Sequence, residues 1–202
     1  MFAIVESGSI TSMPRANKAI QIGDIKYPAT IYTLWSEAER NAIGVYTIEE
    51  DKTNLKDEEW YINTNISYAY DASSNKVKGT YGTATARSIA DVLFTQADED
   101  AGRGTKDELN YRGLKYLKKE IIDGQCAQML APSHWRVVRE QETGDAMDSG
   151  WKTWRASVRT KCNSMQTQID NAANVDALAA LFTYTTTDGV TSRPLGEFPV
   201  KE

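Results

Sequence analysis

Apolar residues alternate with polar ones through the first part of the chain and recur at helical spacing after residue 105, so two kinds of structure are expected in succession. Phe2-Ala3-Ile4-Val5 reads as a strand, Glu6-Ser7-Gly8-Ser9 as a turn, and residues 10–13 as the returning strand. Ile20, Ile22 and Ile25 flank Gly23-Asp24, a second hairpin signal. Ser36 with Glu39 three residues later forms a capping box for a short helix, which leaves through Gly44 into a strand begun by Val45-Tyr46-Thr47-Ile48. Residues 49–59 are charged and are expected to be an exposed loop. Residues 60–70 alternate, with Trp60, Ile62, Thr64, Ile66, Tyr68 and Tyr70 on one face, as a half-buried antiparallel strand would. A turn at Asp71-Ala72-Ser73-Ser74-Asn75 leads to a return strand over residues 77–84.

Past residue 87 the pattern changes. Residues 88–104 pass from an apolar patch to an acidic and then glycine-rich stretch and are read as a connector. Thr105 and Glu108 match a capping box, so helix is expected from there. Leu114, Leu117 and Ile121 supply an apolar stripe that Ile122, Cys126, Met129 and Leu130 widen, until Pro132 stops the helix. Ser133 can cap a segment over residues 134–143 that Gly144 ends. Trp151, Trp154, Val158, Met165 and Ile169 mark a second long helix, and Asn174 can cap a last short one through Leu181. The two long helices are expected to pack as an antiparallel hairpin. The predicted class is α+β: an N-terminal antiparallel β domain (1–87), a connector (88–104), a C-terminal helical hairpin (105–182) and an extended tail (183–202).

Composition narrows the functional classes. The formal charge of −5 over 202 residues disfavours binding to phosphate backbones. Residues 103–161 hold twelve Lys and Arg against eight Asp and Glu, but these are spread along predicted helices and read as solvated faces. Basic and aromatic residues interleave at Lys115-Tyr116-Leu117-Lys118-Lys119 and at Trp135-Arg136-Val137-Val138-Arg139, which amphipathic helices produce without any ligand. No apolar run approaches a bilayer span, and Met1-Phe2-Ala3-Ile4-Val5 followed by Glu6 does not read as a secretory signal. The chain is therefore expected to be made in a reducing cytosol, with Cys126 and Cys162 as facing core thiols. His134, the lone histidine, stands at a helix start without a Gly-x-Ser-x-Gly elbow. The two cysteines and His134 match no zinc spacing, the acidic pairs sit in solvated runs, and Gly102-Arg103-Gly104-Thr105 is not a phosphate loop. No catalytic residue, cofactor or metal ligand is predicted.

One stretch carries a likeness. Leu130-Ala131-Pro132-Ser133-His134-Trp135-Arg136-Val137-Val138-Arg139-Glu140-Gln141-Glu142-Thr143-Gly144, followed by Trp151-Lys152-Thr153-Trp154-Arg155-Ala156-Ser157-Val158-Arg159, resembles the C-terminal helical segment of bacteriophage tail-fibre assembly proteins and related small tail proteins. His134 stands where that family usually has Asp. Asn174-Val175-Asp176-Ala177-Leu178-Ala179-Ala180-Leu181 resembles the family's closing helix, and Leu34-Trp35-Ser36-Glu37-Ala38-Glu39-Arg40 with Ile43-Gly44-Val45 its β-rich front. The resemblance implies a non-enzymatic protein that binds tail-fibre or tail subunits in the infected host's cytoplasm and assists their assembly or attachment. The alternative is a permanent component of the virion tail; a glycan-acting hydrolase is a third reading. Expected partners are tail subunits, with self-association left open and neither nucleic acid nor membrane involved. Trp135, Arg139, Trp151, Trp154, Arg155 and Phe198 are the candidate protein-binding residues, since aromatic and arginine side chains dominate interface energetics. The competing reading of the tryptophans is that they fill the hairpin core.

Overall fold

The computed structural model describes residues 1–201, which fold as an α+β protein in two compact units, Met1–Thr85 and the chain from Ala86 onward. The first unit contains, in order, β1 (Phe2–Glu6), β2 (Ser9–Ser12), β3 (Ile20–Ile22), β4 (Ile25–Tyr27), α1 (Ile31–Leu34), α2 (Glu37–Ala42), β5 (Val45–Asp51), β6 (Tyr61–Ile62), β7 (Ile66–Asp71) and β8 (Lys76–Tyr81), with β9 (Thr85–Ala86) at its end.

Five strands form one sheet in the order β2-β1-β5-β8-β7. The β1–β2 hairpin turns at Ser7 and Gly8, whose φ of 51° and 80° give the left-handed turn that matches strand twist. The sheet is not purely antiparallel: β5 and β8 run parallel, with Ile48 opposite Val77. The intervening chain makes this possible, because it includes β7, which is itself the antiparallel partner of β8. Strand β2 comes back into contact with β7, so the sheet curls toward a closed barrel. Inside the curl lie Ala3, Val5, Ile48 and Val77, with Ile10, Tyr46, Tyr68 and Tyr70 packed against them. On the other face Ile4, Ile20, Ile31, Tyr32 and Val45 form a second core, covered by the β3–β4 hairpin and α1. Strand β1 thus buries both its faces.

Local chemistry sets the corners. Ser36 and Glu39 form the expected reciprocal capping box on α2. Gly44, at φ +80°, sits so close to β1 that a Cβ would lie 2.7 Å from the Val5 carbonyl oxygen. Asp71 accepts hydrogen bonds from the Ser73 hydroxyl, the Ser74 hydroxyl and Lys78 and from the Ser73 amide, which hold its carboxyl far below the ordinary range. Residues 60–70 are not one strand. Asn63 folds back to bond both the amide and the carbonyl of Lys56, breaking the run between β6 and β7. Ile62 is left exposed as a result. The charged run after β5 becomes loop only beyond Asp51.

The second unit contains β10 (Val92–Leu93), α3 (Gln96–Asp100), β11 (Leu109–Tyr111), α4 (Leu114–Leu130), a 3-10 turn (Ala131–Ser133), α5 (His134–Thr143), α6 (Ser149–Asn171), α7 (Val175–Phe182), β12 (Thr185–Thr187) and β13 (Val190–Ser192). The stretch expected as a connector is therefore folded. Thr95 and Asp98 cap α3 reciprocally, and Arg103 donates to Asp98. Thr105 begins a turn, not a helix: Asp107 has φ +65°, and the amides of Phe94 and Asp107 bond across to Glu108 and Phe94 carbonyls, closing β10 on β11. Helix α4 starts nine residues later than the sequence pattern suggests, at Leu114. Its first amides are satisfied by the Ser88 and Ile89 carbonyls, and the Gly113 amide by the Asp91 carboxylate.

Helices α4 and α6 pack antiparallel. Lys119 pairs with Asp170 near one end, Asp123 meets Cys162 and Gln166 midway, and Arg155 reaches the Leu130 carbonyl at the other. The buried row of α4 is Leu114, Lys118, Ile122, Cys126 and Leu130, spaced by four; Leu117 and Ile121, expected in the stripe, face solvent. Lys118 takes its place in that row by laying its ammonium 5.0 Å from the Phe182 ring. The opposing row is Arg155, Val158, Cys162, Met165 and Ile169. Asn174 caps α7 as expected. The segment expected as an extended tail makes a hairpin across Asp188-Gly189, and Leu195 is fully buried, its amide bonded to the Leu181 carbonyl and its carbonyl to Lys161.

Candidate protein-binding face

The end of the second unit where α4 gives way to α5 is built around a buried arginine. Pro132 cannot continue the α4 hydrogen-bond ladder, so the chain turns through one 3-10 turn into α5. Ser133 does not cap α5 with its side chain. Its hydroxyl donates to the Leu130 carbonyl at 2.8 Å, and Arg155 of α6 donates to that hydroxyl and, at 3.0 Å, to the same carbonyl. Arg155 is 4 % exposed, so it is a structural tie and not a surface anchor. Burial, with Arg159 as a smaller cause, draws its pKa below the ordinary guanidinium value. The bend that sets the direction of α5 is thereby pinned by charge-assisted bonds.

On this base, α5 and the start of α6 assemble an aromatic ladder. Asp148 caps α6 by accepting from the Gly150 and Trp151 amides. The Trp151 and Trp154 rings meet edge to face with centroids 5.5 Å apart. Arg136 lies between two indoles, its guanidinium carbon 4.5 Å from the Trp135 ring and 4.6 Å from that of Trp151. Lys201 adds a second cation 5.4 Å from Trp151, and the Trp154 indole N–H donates to the Pro199 carbonyl at 2.9 Å. Lys152 bonds Glu140 at 2.5 Å, tying α6 to α5. Such contacts are individually modest, but Arg136, Trp151 and Trp154 each take part in at least two of them.

The six residues singled out by sequence thus divide. Trp135 is 51 % exposed, and Val138, one turn further along α5, is equally so. Arg139 is on the same surface, 3.4 Å from Asp145. Trp151 and Trp154 are half-buried and support the ladder. Phe198 lies apart from them, half-buried in an open groove of about 680 Å³ with Gln125, Gln128 and Met129 of α4 and Tyr184, Arg193, Glu197 and Val200. Arg136, Val138 and Lys201 belong to the face but were not singled out. Adjacency to Trp135 was the available signal for Arg136; the crossing of α5 and α6 that brings it to Trp151 has none.

Among the described residues no group of three or more His, Cys, Asp or Glu is placed to hold a metal, and no helix is long and apolar enough to cross a membrane. His134 is exposed at the start of α5. Cys126 and Cys162 are buried free thiols, and burial, then Cys126 and Asp123, push the Cys162 thiol up to about 12, which makes it a poor nucleophile. No family model, curated protein or solved structure matches the chain.

Proposed function

We propose that this chain is a non-enzymatic binding protein of a bacteriophage tail, which engages tail-fibre or tail subunits through the α5 face and assists their assembly or attachment. The observation that carries the binding reading is the placement of Trp135 and Val138. Both are more than half exposed on a helix whose direction is locked by Arg155 and whose aromatic ladder fixes the indole in advance. A large, rigid, exposed aromatic flanked by arginines is what interface hot spots are made of, since little conformational entropy is lost when it is covered. The tail setting is supported by the likeness of residues 130–144 and 151–159 to the tail-fibre assembly proteins. Unassembled fibres expose β edges and apolar surface, and a stoichiometric binder that covers them prevents misassociation.

The test is co-expression with the fibre and tail subunits encoded beside this chain, followed by pull-down and mass determination. A stable complex with one of them is expected, and Trp135→Ala should weaken it by about 2 kcal/mol, roughly thirtyfold. Persistence of the complex in purified particles would make the chain a resident tail component and not a transient helper. Absence of a complex with every tail subunit would overturn the proposal.

A further inference from the structure

The α5 face contains a cation whose polar chemistry is unfinished. Arg136 is clamped between the Trp135 and Trp151 rings, yet among the described residues it has neither a hydrogen bond nor an ion pair, and its Nε is buried without an acceptor. Its neighbours differ: Arg139 meets Asp145, Lys152 meets Glu140, and Arg155 meets Leu130 and Ser133. With two indole rings against its guanidinium, the polar contact left to Arg136 is through its N–H edge, and that edge fits a carboxylate in a bidentate fork.

A pocket of about 50 Å³ lies beside it, lined by Trp135, Arg136, Arg139, Asp145, Ala146 and Met147. That space is of the order of one or two water molecules, enough for a carboxylate group. Two arginines line it against one acid. The ion pair between Arg139 and Asp145 is loose, at 3.4 Å with side chains 54 % and 61 % exposed, so an incoming anion displaces it at little cost.

We infer that this pocket receives the carboxylate of an Asp or Glu side chain of the protein partner, while an apolar neighbour of that residue rests on Trp135 and Val138. The inference builds on the protein-binding reading and names the chemistry of what is bound: an acidic residue next to an aliphatic one.

Two capped peptides test it, acetyl-Gly-Leu-Glu-Leu-Gly-amide and its Gln twin, titrated into the full chain while the Trp135 indole N–H signal is followed by NMR. The Glu peptide is expected to shift that signal saturably and to bind at least about tenfold more tightly than the Gln twin. Arg136→Gln should erase the difference between the two, and Asp145→Asn should tighten the Glu peptide severalfold. Equal affinity for the two peptides, or no shift with either up to about 10 mM, overturns the inference. A pull-down with tail subunits separates this failure from that of the parent reading. If Arg136→Gln retains the wild-type complex unchanged, the chain binds its partner without this pocket; if the wild-type chain captures no subunit, the parent reading fails as well.

Discussion

The two units are held together in different ways. In the first, β1 sends Ala3 and Val5 to one core and Ile4 to the other, and each core is closed by aliphatic and aromatic side chains. Polar ties cap the turns, as at Ser36 and Asp71, or link strands at the edge of the packed layers, as between Tyr46 and Tyr70. In the second, the seam between α4 and α6 includes Lys118, Cys126, Arg155 and Cys162 in the buried rows themselves. Apolar packing is forgiving of small shifts, whereas hydrogen-bonded groups in a seam admit only one register. The first unit is therefore built as a scaffold whose shape follows from complementary surfaces. The second is built to fix one direction, that of α5, whose helix buries none of its residues.

The comparison breaks most visibly where the first unit loses volume. Ile31 is fully buried among Ile4, Ile20, Tyr32 and Val45. Ile31→Ala removes three carbons from a packed layer and should cost about 3 kcal/mol, measured by urea denaturation of the full chain. A loss under about 1 kcal/mol would mean that the layer over β1 collapses into the gap and that complementary packing does not set the scaffold's shape.

Arg155 probes the second unit's polar logic with a smaller effect. Arg155→Ala removes charge-assisted bonds to the Leu130 carbonyl and the Ser133 hydroxyl and should cost about 2 kcal/mol. The Leu130 carbonyl keeps its bond from Ser133, which limits the damage. Arg155→Met fills the space without the charge and should recover about half of that loss, since a buried cation carries its own desolvation cost. It should not recover the geometry of α5: the exchange protection of the Ser133 and His134 amides should fall in both variants. Full stability with unchanged protection in Arg155→Met would show that shape alone sets the bend.

How much of this was legible in the sequence follows the same division. Turn and cap chemistry acts over four residues, so Ser7-Gly8, Gly23-Asp24, Ser36 with Glu39, Gly44 and Asn174 could all be read locally. The pattern Thr-x-x-Glu at Thr105 failed because the same residues suit a turn, and pairing of Phe94 with Glu108 across the chain chose the turn. Thr95 with Asp98 was hidden by the acidic run around it. In α4, helical periodicity allowed two apolar rows, and the one carrying Lys118 won because Phe182, 64 positions away, receives its ammonium. For the site, Trp135 and Arg139 were legible from residue type. The burial of Arg155 was not, since only the helix crossing turns an exposed-looking arginine into a seam residue.

The smallest effect separates the units by pH. Both cysteines belong to the second unit, and Cys162 is held protonated up to about 12, first by burial and then by Cys126 and Asp123. In the unfolded chain a thiol titrates near about 8.5. Below that value both states carry the proton and the contribution to stability is fully present. Above it the unfolded chain releases the proton while the folded chain retains it, so stability falls as pH rises toward the folded value. Between pH 7 and about 9.5 the loss should be on the order of 1 kcal/mol. The first unit has its own raised group, Tyr46, pushed up to about 12 by its hydrogen bond with Tyr70 and by burial, but an unfolded tyrosine titrates only near about 10. Urea denaturation at about pH 9.5 therefore reads mainly the thiol. Cys162→Ala should flatten the dependence between pH 7 and that point and leave the steeper fall above about pH 10 in place. An unchanged slope in Cys162→Ala would mean that the thiol is not shielded in the seam, and the contrast between an apolar scaffold and a polar, single-register hairpin would lose its titratable mark.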